Sequence, residues 1–499
     1  MERRLKRKRL YTEILPVLLF TLIGFFVMGY HPGYEDDGIY LSAVQSDMNP
    51  ALYPHDSDFF KLQMQASAFD DATVEFVRLT HIPVSWSEML GQLFTIFLIL
   101  WACHSIAGKF FERAEVRWAG VAMVAAMLTL PVAGTALYIA DQHLHPRNVA
   151  TAFILMAVDR ILAGKRWHAV PLLVAACAMH PIMGAFGFSF SFCLAVALMD
   201  PVHVWLKDMR SAFARGAAVA IPIGWLFKSP NPAWRKALNT RHYFLLAGWH
   251  WYEWLGALAP LFLFWLLMRL AEKRGQTLLS RFAFAVSIYG VFQQLVALAM
   301  LTPPSMIRLS SLQPMRYLQI IYCFLALFAG CMIAQFLLKG RVWRWAIFLL
   351  AANGAMLTAQ EAEFPNCRHF EMPWTKPANP WLQAFAWIRK NTPENAYFAL
   401  DPNYMAMPGE DYHSFRALAE RSQLADANKD TAVVILVPQL AVEWNREVTA
   451  QSGWRDFKLA DFERLKREFG VNWVLVSHPA PAGLDCRWHN PSLSVCRLP

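Results

Sequence analysis

Charge is scarce in this chain. Asp, Glu, Lys and Arg make up 17% of its 499 residues, where a soluble protein carries about 25%. The hydrophobic share is 56% and the mean hydropathy +0.28. A soluble chain of this length would divide into roughly three domains, and so few polar residues cannot cover the apolar surface that would remain. Soluble, disordered and fibrous classes are excluded, and apolar runs long enough to cross a bilayer mark a multi-pass membrane protein. Other absences narrow the chemistry. The sequence has no internal repeat, low-complexity segment, Walker-type phosphate loop, CxxC pair, HExxH or G-x-S-x-G. An ATP-driven pump and a membrane zinc protease therefore lose their usual sequence support.

The charge that is present is unevenly spread. The 46 basic and 37 acidic residues give +9 overall, yet from Glu361 onward 15 basic face 17 acidic residues. The excess lies in short connections between apolar runs, which is the positive-inside pattern and not a groove for nucleic acid. Residues 1–10, MERRLKRKRL, carry six basic residues directly before the apolar run 14–28. No small-x-small cleavage site follows, so this run is expected to be an uncleaved first span with its N-terminus in the cytoplasm. Further runs lie at 88–108, 118–138, 149–163, 169–180, 182–199, 217–227, 252–270, 282–301, 315–338 and 345–359. Several fall short of the ~20 residues of a perpendicular helix; such segments are broken or line a cavity. The count is about eleven spans in the cytoplasmic (inner) membrane.

Cations fall on alternate connections: Lys109, Arg113 and Arg117; Lys165 and Arg166; Lys207, Arg210 and Arg215; Lys273, Arg274 and Arg281; Lys339, Arg341 and Arg344. Only the opposite-side loop 228–250, with four basic residues, blurs the pattern. Eleven spans from a cytoplasmic start divide the chain into a membrane part, 1–360, and an outer part, 361–499. In the outer part 381–391 and 459–469 have helical periodicity, while 396–400, 431–437 and 472–477 read as buried strands. The expected fold is mainly α, a polytopic membrane helix bundle with a small C-terminal α/β extracytoplasmic domain. Cys486 and Cys496 lie in that domain, and a disulfide between them suits an oxidising compartment.

The long outer loop 31–85 holds nine acidic and two basic residues. Glu35, Asp36 and Asp37 follow the first span and open an expected helix, DGIYLSAVQ, with Tyr40 one turn on and on the same face. Three adjacent carboxylates repel, so at least one is expected to have a raised pKa unless a cation or metal offsets it. A general base at the bilayer surface uses such an arrangement; a capped, solvated acidic turn is the alternative. The same loop continues through His55, Asp56 and Asp58, a second polar group or simple turn chemistry after Pro54. From Phe59 to Phe76 apolar residues recur at helical spacing, as in an amphipathic helix on the membrane surface or bundle.

Elsewhere, ADQHLHPRN places Asp141, His143, His145 and Arg147 within seven residues on the same side as the acidic turn. Carboxylate and imidazole suit a divalent metal such as Mg or Mn, and Arg147 a phosphate; a polar rim against substrate is the other reading. His180-Pro181 forms an outer turn between two short runs. Arg316, at the outer start of a span, either snorkels to headgroups or binds a lipid-linked phosphate. Trp249 to Trp254 form an interfacial aromatic belt.

Taken together, GYEDDGIYLSAV, QPMRYL near the last spans and WIRKNTPENAYFAL at the start of the outer domain resemble the GT-C-fold glycosyltransferases, the superfamily of protein O-mannosyltransferases, aminoarabinose transferases and oligosaccharyltransferase catalytic subunits. The acidic segment is similar to the "DE…Y" motif of the O-mannosyltransferase group. The resemblance implies that Asp36 deprotonates the acceptor, with Asp37 its carboxylate neighbour and Glu35 an extra acid, and that the second outer-loop acid falls on Asp141. It implies a polyprenyl-phosphate sugar donor, an acceptor glycan, lipid or protein, and inversion at the anomeric carbon, with Arg316 or Arg147 at the departing phosphate. With the residue readings above, the expected substrate-contacting set is Tyr40, His55, Asp56, Asp141, His143, His145, Arg147, His180 and Arg316. A transporter or lipid flippase and a non-catalytic cell-envelope assembly protein are the alternatives. A transporter would favour charged residues within spans and repeated halves; the charges nearest to a span are Asp159 and Arg160 at one inner end.

Overall fold

The computed structural model describes residues 10–199 and 231–499. The expected span 217–227, the cations Lys207, Arg210 and Arg215, and residues 1–9 of the basic start lie outside the described residues. In chain order the membrane part contains α1 (Leu15–Met28), α2 (Asp37–Met48), α3 (Asp58–Met64), α4 (Phe69–Thr80), α5 (Val84–Phe110) and α6 (Ala114–Ala126). A hairpin follows, β1 (Pro131–Val132) and β2 (Leu137–Tyr138), then α7 (Pro146–Leu162), α8 (Arg166–Met179), α9 (Pro181–Ala197) and α10 (Pro232–Asn239). Four long helices close it: α11 (Trp251–Lys273), α12 (Thr277–Leu301), α13 (Leu318–Ile333) and α14 (Val342–Glu363).

Among the described residues six helices are long and apolar enough to cross a membrane: Tyr11–Met28, Val84–Phe110, Trp251–Lys273, Thr277–Leu301, Pro314–Leu338 and Val342–Glu363. This is fewer than the eleven runs read from hydropathy. The run 118–138 does not stay helical: α6 ends after 13 residues and the chain turns through the hairpin, with Gly134 at φ 61° and Thr135 Oγ1 donating to the Val132 carbonyl at 2.7 Å. Helices α7, α8 and α9, of 17, 14 and 17 residues, fall short of the ~20 that a perpendicular span needs. They pack on one another, and α7 packs on α5, while α6 packs on α13 and α11 on α12. Their shared core includes Ile99, Val121, Ile154, Leu155, Phe282 and Phe324, all buried. On the outside, Leu22, Phe94, Phe192, Phe262, Leu295 and Leu350 remain exposed, as a lipid-facing surface requires.

The amphipathic stretch expected from Phe59 to Phe76 is two helices. It breaks because Ser67 Oγ donates to the Met179 carbonyl at 2.7 Å and accepts the Phe69 N–H at 3.1 Å, while Ala68 N–H donates to the Ala178 carbonyl. The loop is thereby tied to the end of α8.

The C-terminal part contains α15 (Pro380–Asn391), β3 (Tyr397–Ala399), α16 (Phe415–Ala419), β4 (Ser422–Gln423), α17 (Lys429–Leu436), α18 (Ala441–Ala450), α19 (Leu459–Phe469), β5 (Trp473–Ser477), β6 (Asp485–His489) and β7 (Leu493–Arg497). The sheet order is β4-β3-β5-β7-β6, with β3 parallel to β4 and β5 and the β5-β7-β6 pairs antiparallel. Alternation along β5 sends Trp473 and Leu475 to the face covered by Trp381, Phe385 and Ile388 of α15, and Val474 and Val476 to the face covered by Phe462 and Leu465 of α19. Cys486 and Cys496 face each other across β6 and β7 and are disulfide-bonded.

One expected strand is a helix. Residues 431–437 are rich in β-branched side chains, but Asp426 Oδ1 accepts the N–H groups of Asn428 and Lys429, which starts α17. Val433 and Ile435 are then buried against α10, whose Trp234 Nε1 donates to the Ile435 carbonyl at 3.2 Å. Local capping and tertiary burial override β propensity here.

The loop 31–85 docks on this segment. Asp56, expected near substrate, instead joins a buried ion-pair group: Arg416 donates to Asp56 Oδ2 through Nε and to both oxygens of Asp430 at 2.6 and 2.9 Å. Asp56 also accepts the Gln423 N–H at 2.9 Å. His55 stacks on Tyr397 with ring centroids 4.4 Å apart. Tyr53 donates to Gln45 Oε1 at 2.6 Å and to the Arg416 carbonyl at 2.9 Å. Gly38 lets α2 approach closely, since a Cβ there would lie 2.5 Å from Ser414 Oγ. Asp56→Ala removes one of the two carboxylates around a buried guanidinium, which typically costs about 3 kcal/mol. Thermal unfolding followed by tryptophan fluorescence in detergent should show that loss, whereas Asp58→Ala, on an exposed residue, should leave the midpoint unchanged.

Candidate active site

The acidic turn is held by tertiary contacts. Glu35 lies in the left-handed region at φ 48°, which costs a non-glycine residue energy. Its N–H donates to the Tyr412 carbonyl at 2.9 Å, and Ser414 N–H donates to the Gly33 carbonyl at 2.7 Å. Asp36 begins α2 without a side-chain cap bond, so its carboxylate is free to face outward from the helix start. Asp37 turns the other way. It is 1% exposed, and its Oδ2 accepts the Gly33 N–H at 2.5 Å.

Two adjoining cavities meet at Asp36. The larger, about 720 Å³, is lined by Glu35, Asp36, Asp141, His143, Arg147, Arg241, Arg316, Glu363 and Lys429, with Tyr34, Tyr138 and the hairpin at its wall. The smaller, about 250 Å³, is mainly apolar: Ile39, Leu62, Met64, Met179, Ile182, Leu436 and Val437, with Tyr40, His180 and Gln313. Asp36, Tyr243 and Arg316 line both.

Asp36 is the most heavily contacted acid. Lys429 Nζ donates to Asp36 Oδ1 at 2.6 Å and also to Glu35 Oε2. His145 Nδ1 accepts the Arg147 N–H at 2.9 Å as the cap of α7, which leaves the proton on Nε2; that nitrogen lies 3.3 Å from Asp36 Oδ2 and donates to it. An Arg147 nitrogen sits 3.9 Å from the same oxygen, and the other guanidinium nitrogen donates to Asp141 Oδ1 at 2.6 Å. Burial raises the Asp36 carboxyl, but the Lys429 ammonium, the His145 ring and Arg147 outweigh it and hold it well below the usual range. Burial raises the Asp141 carboxyl too, and Arg147 outweighs it. For His145, burial and the neighbouring Arg147 lower the ring to about 4, so it is neutral at pH 7.

The expected raised carboxyl is Asp37, not the cavity-facing Asp36, and burial is its main cause, with repulsion from Asp36 a minor one. Asp37 lies against Glu88 and lines neither cavity. Asp37, expected in the catalytic set, is thus buried beneath the turn and bonded to its backbone. His55 and Asp56 also line neither cavity, because they are used in docking the loop. The structure brings the remaining expected residues together: Glu35, Asp36, Tyr40, Asp141, His143, His145, Arg147, His180 and Arg316 all line or contact the two cavities. His180 Nδ1 caps α9 by accepting the Met183 N–H at 3.3 Å, and Tyr40 meets the His145 ring edge-on at 4.7 Å.

Sequence reading missed Lys429, Arg241, Tyr243 and Glu363. Lys429 carried no signal, being separated from Asp36 by nearly the whole chain. Arg241 had one: it belongs to the only outer loop whose positive charge broke the alternation, and it now lines the larger cavity.

The donor set was tested for a divalent ion on its own chemistry. His143 is 1% exposed and neither ring nitrogen has a hydrogen-bond partner, so it offers a ligand. The carboxylates beside it are already matched with fixed cations, Asp36 with Lys429 and Asp141 with Arg147. Lys429 bridges Glu35 and Asp36, the position in which a metal would neutralise them. The cleft residues therefore fit an ammonium-neutralised site rather than a Mg or Mn site.

The double duty of His145 separates two effects. His145→Ala removes the α7 cap and the donor to Asp36, and loss of such a cap costs about 1 kcal/mol. His145→Asn restores a capping oxygen, so its thermal midpoint should stay near wild type while the Asp36 carboxyl still rises. Isotope-edited infrared titration of the carboxyl band reads that rise.

No protein-family model matches the chain, and no curated protein matches it in sequence. Among solved structures it is similar to the apo form of the Archaeoglobus fulgidus oligosaccharyltransferase, at 12% identity and a TM-score of 0.48 over 93% of this chain and 69% of that one. It is also similar to archaeal oligosaccharyltransferase AglB from Archaeoglobus fulgidus in complex with an inhibitory peptide and a dolichol-phosphate, at 12% identity and a TM-score of 0.44 over the same shares of the two chains.

Proposed function

We propose that this protein is an integral-membrane glycosyltransferase that moves a sugar from a polyprenyl-phosphate donor to an acceptor at the outer face of the membrane. The observation that carries this reading is the junction of the two cavities: an apolar groove and a charged chamber meet where Arg316 faces Asp36. Arg316 Nε has no hydrogen-bond partner among the described residues, and neither does Arg241 Nε. A guanidinium left open beside an apolar groove suits a phosphate that carries a long apolar chain. In this reading residues 1–360 form the membrane part and 361–499 an outer domain that supplies Lys429.

The chemistry follows from the placement. The acceptor nucleophile, a hydroxyl in the simplest case, hydrogen-bonds to Asp36 in the larger cavity. Its oxygen attacks the anomeric carbon from the side opposite the phosphate. The new C–O bond forms as the bond to the phosphate oxygen breaks with its electron pair, and the configuration inverts. The phosphate charge that develops faces Arg316, with Arg241 nearby, where fixed opposite charge contributes most. A carboxylate held as low as Asp36 is a weak free base. It takes the proton late, when the attacking oxygen has become strongly acidic. His145 and Lys429 orient the carboxylate for that transfer, and the carboxylate is already ionised at any physiological pH.

A transporter reading has less support, because the charged chamber is paired internally by Lys429 and Arg147 and faces an apolar groove instead of a continuous polar path.

Two measurements test the reading, both with purified protein in lipid nanodiscs and radiolabelled undecaprenyl-phosphate sugars. Asp36→Asn should lower sugar transfer or slow hydrolysis by about 10²–10⁴-fold while donor binding is retained, and Arg316→Met should weaken donor binding itself. Wild-type turnover in Asp36→Asn, or absence of any sugar-lipid binding, would overturn the transferase reading for the lipids tested. The pH profile is a separate test. Lys429→Met removes the main cation that depresses Asp36, so the carboxyl rises and the acidic limb of activity should move to higher pH. The wild-type limb should lie below the ordinary carboxylate range.

A further inference from the structure

At the outer end of α1 a second polar cluster lies apart from both cavities. His31 follows the first span, Glu371 follows α14, and His413 precedes α16. The backbone sets them side by side. Tyr30 bridges Phe370 and Tyr34 bridges His413, with Tyr30 N–H donating to the His369 carbonyl at 3.1 Å and Glu371 N–H to the Tyr30 carbonyl at 2.9 Å. His31 Nδ1 is 3.1 Å, and His413 Nε2 2.8 Å, from the same carboxylate oxygen, Glu371 Oε2. One ligand atom from each residue lies within 4.8 Å of the others. Both imidazoles are fully buried.

The surroundings fix the rings. His31 stacks on Phe364 at 3.6 Å with the planes 9° apart. The other nitrogen of His413, Nδ1, faces Glu410 Oε1 at 3.8 Å, and Glu410 is itself held by the His413 backbone N–H at 3.0 Å. Glu410 is too far from Nδ1 to hydrogen-bond the ring and holds His413 through its backbone, while Cys367 Sγ lies 4.0 Å from the same nitrogen.

We propose that His31, Glu371 and His413 form a divalent-metal site, with zinc the best match, that fastens the end of the first span to the segments on either side of the outer part. Two imidazoles and one carboxylate suit zinc's ligand preference, with water completing four-coordination. Ligand atoms of a tetrahedral site with ~2.0–2.1 Å bonds lie roughly 3.3 Å apart, so each imidazole–Glu371 spacing needs to open by only a few tenths of an ångström, and the two imidazole nitrogens lie within 4.8 Å of one another. The site sits between the first outer loop and the segment that leads to Ser414, and it therefore braces the turn that carries Glu35 and Asp36. Its role is structural, and it does not depend on the glycosyltransferase reading.

The test is metal analysis of the full chain, purified without a histidine tag in nanodiscs and measured by inductively coupled plasma mass spectrometry. Wild type should carry about one zinc per chain. His413→Gln and His31→Gln should each lower it at least tenfold, and His143→Ala should leave it unchanged. Because either variant can misfold, wild type is also stripped with chelator and reloaded with Co²⁺. A tetrahedral visible d–d spectrum, and a thermal midpoint that rises when zinc is added back, support the site. A metal-free wild type with no cobalt spectrum overturns the proposal. Zinc that survives in both histidine variants overturns it, and zinc lost only from His143→Ala would place the ion in the cleft instead.

Discussion

The Arg416 guanidinium, buried between Asp56 and Asp430, is the interaction on which the arrangement of the site depends. Its two charged partners come from segments far apart in sequence, the loop 31–85 and the first turn of α17. A charge removed from water is tolerated only where its donors are met by acceptors in good geometry. That requirement holds the loop at one position on the C-terminal part. Asp36 and Lys429 come into contact as a result, because Lys429 immediately precedes Asp430 and Asp36 lies on the helix that follows the loop's first turn. Removal of the pairing would separate the two halves of the cleft, although neither Arg416 nor Asp56 lines a cavity.

Within the cleft, charge balance decides what kind of ligand can enter. Glu35, Asp36 and Asp141 are opposed by Lys429 and Arg147, so the acidic side is nearly neutralised by the protein itself. Arg316 and Arg241 are left facing the space where the apolar groove meets the chamber. These two guanidiniums near an apolar groove favour an anion with an apolar tail, and the paired Asp36 next to them can accept a hydrogen bond without needing a metal to ionise it. The same balance explains why the acidic turn, which looked from sequence like three mutually repelling carboxylates, is stable: one acid is buried and shifted up, one is held down by cations, and one shares the lysine.

The parts of this organisation that were legible in the sequence rest on local signals. Apolar runs of span length, the helix opening at Asp37, α15 and α19 with their periodic faces, and the strand at 472–477 are all properties of a few consecutive residues. Apolar runs such as 118–138 were less legible despite their span length, since composition reports burial and not whether a glycine-bearing hairpin interrupts the helix. The strand expected at 431–437 failed for a related reason. Val433, Val434 and Ile435 prefer strands by themselves, yet the Asp426 cap and the contact with Trp234 made helix the better solution. Asp56 shows the converse error, in which a polar residue in a suggestive loop turned out to be structural because its partner, Arg416, is invisible from the loop's own sequence.

By itself the sequence determined that the chain is a multi-pass membrane protein with an acidic turn after the first span, a polar DQHLHPR segment and an arginine, Arg316, at the start of a late span, because hydropathy, charge sign and residue type are local quantities. Only the tertiary structure decided which two of the three adjacent acids face a cavity, that Lys429 lies between Glu35 and Asp36, and that an apolar groove opens beside Arg316. Those facts depend on contacts between segments hundreds of residues apart, and on the left-handed turn at Glu35 that the C-terminal segment stabilises. The physical reason is that pKa, ion pairing and cavity shape are set by what surrounds a side chain, and in this fold the surroundings of the acidic turn come from the opposite end of the chain.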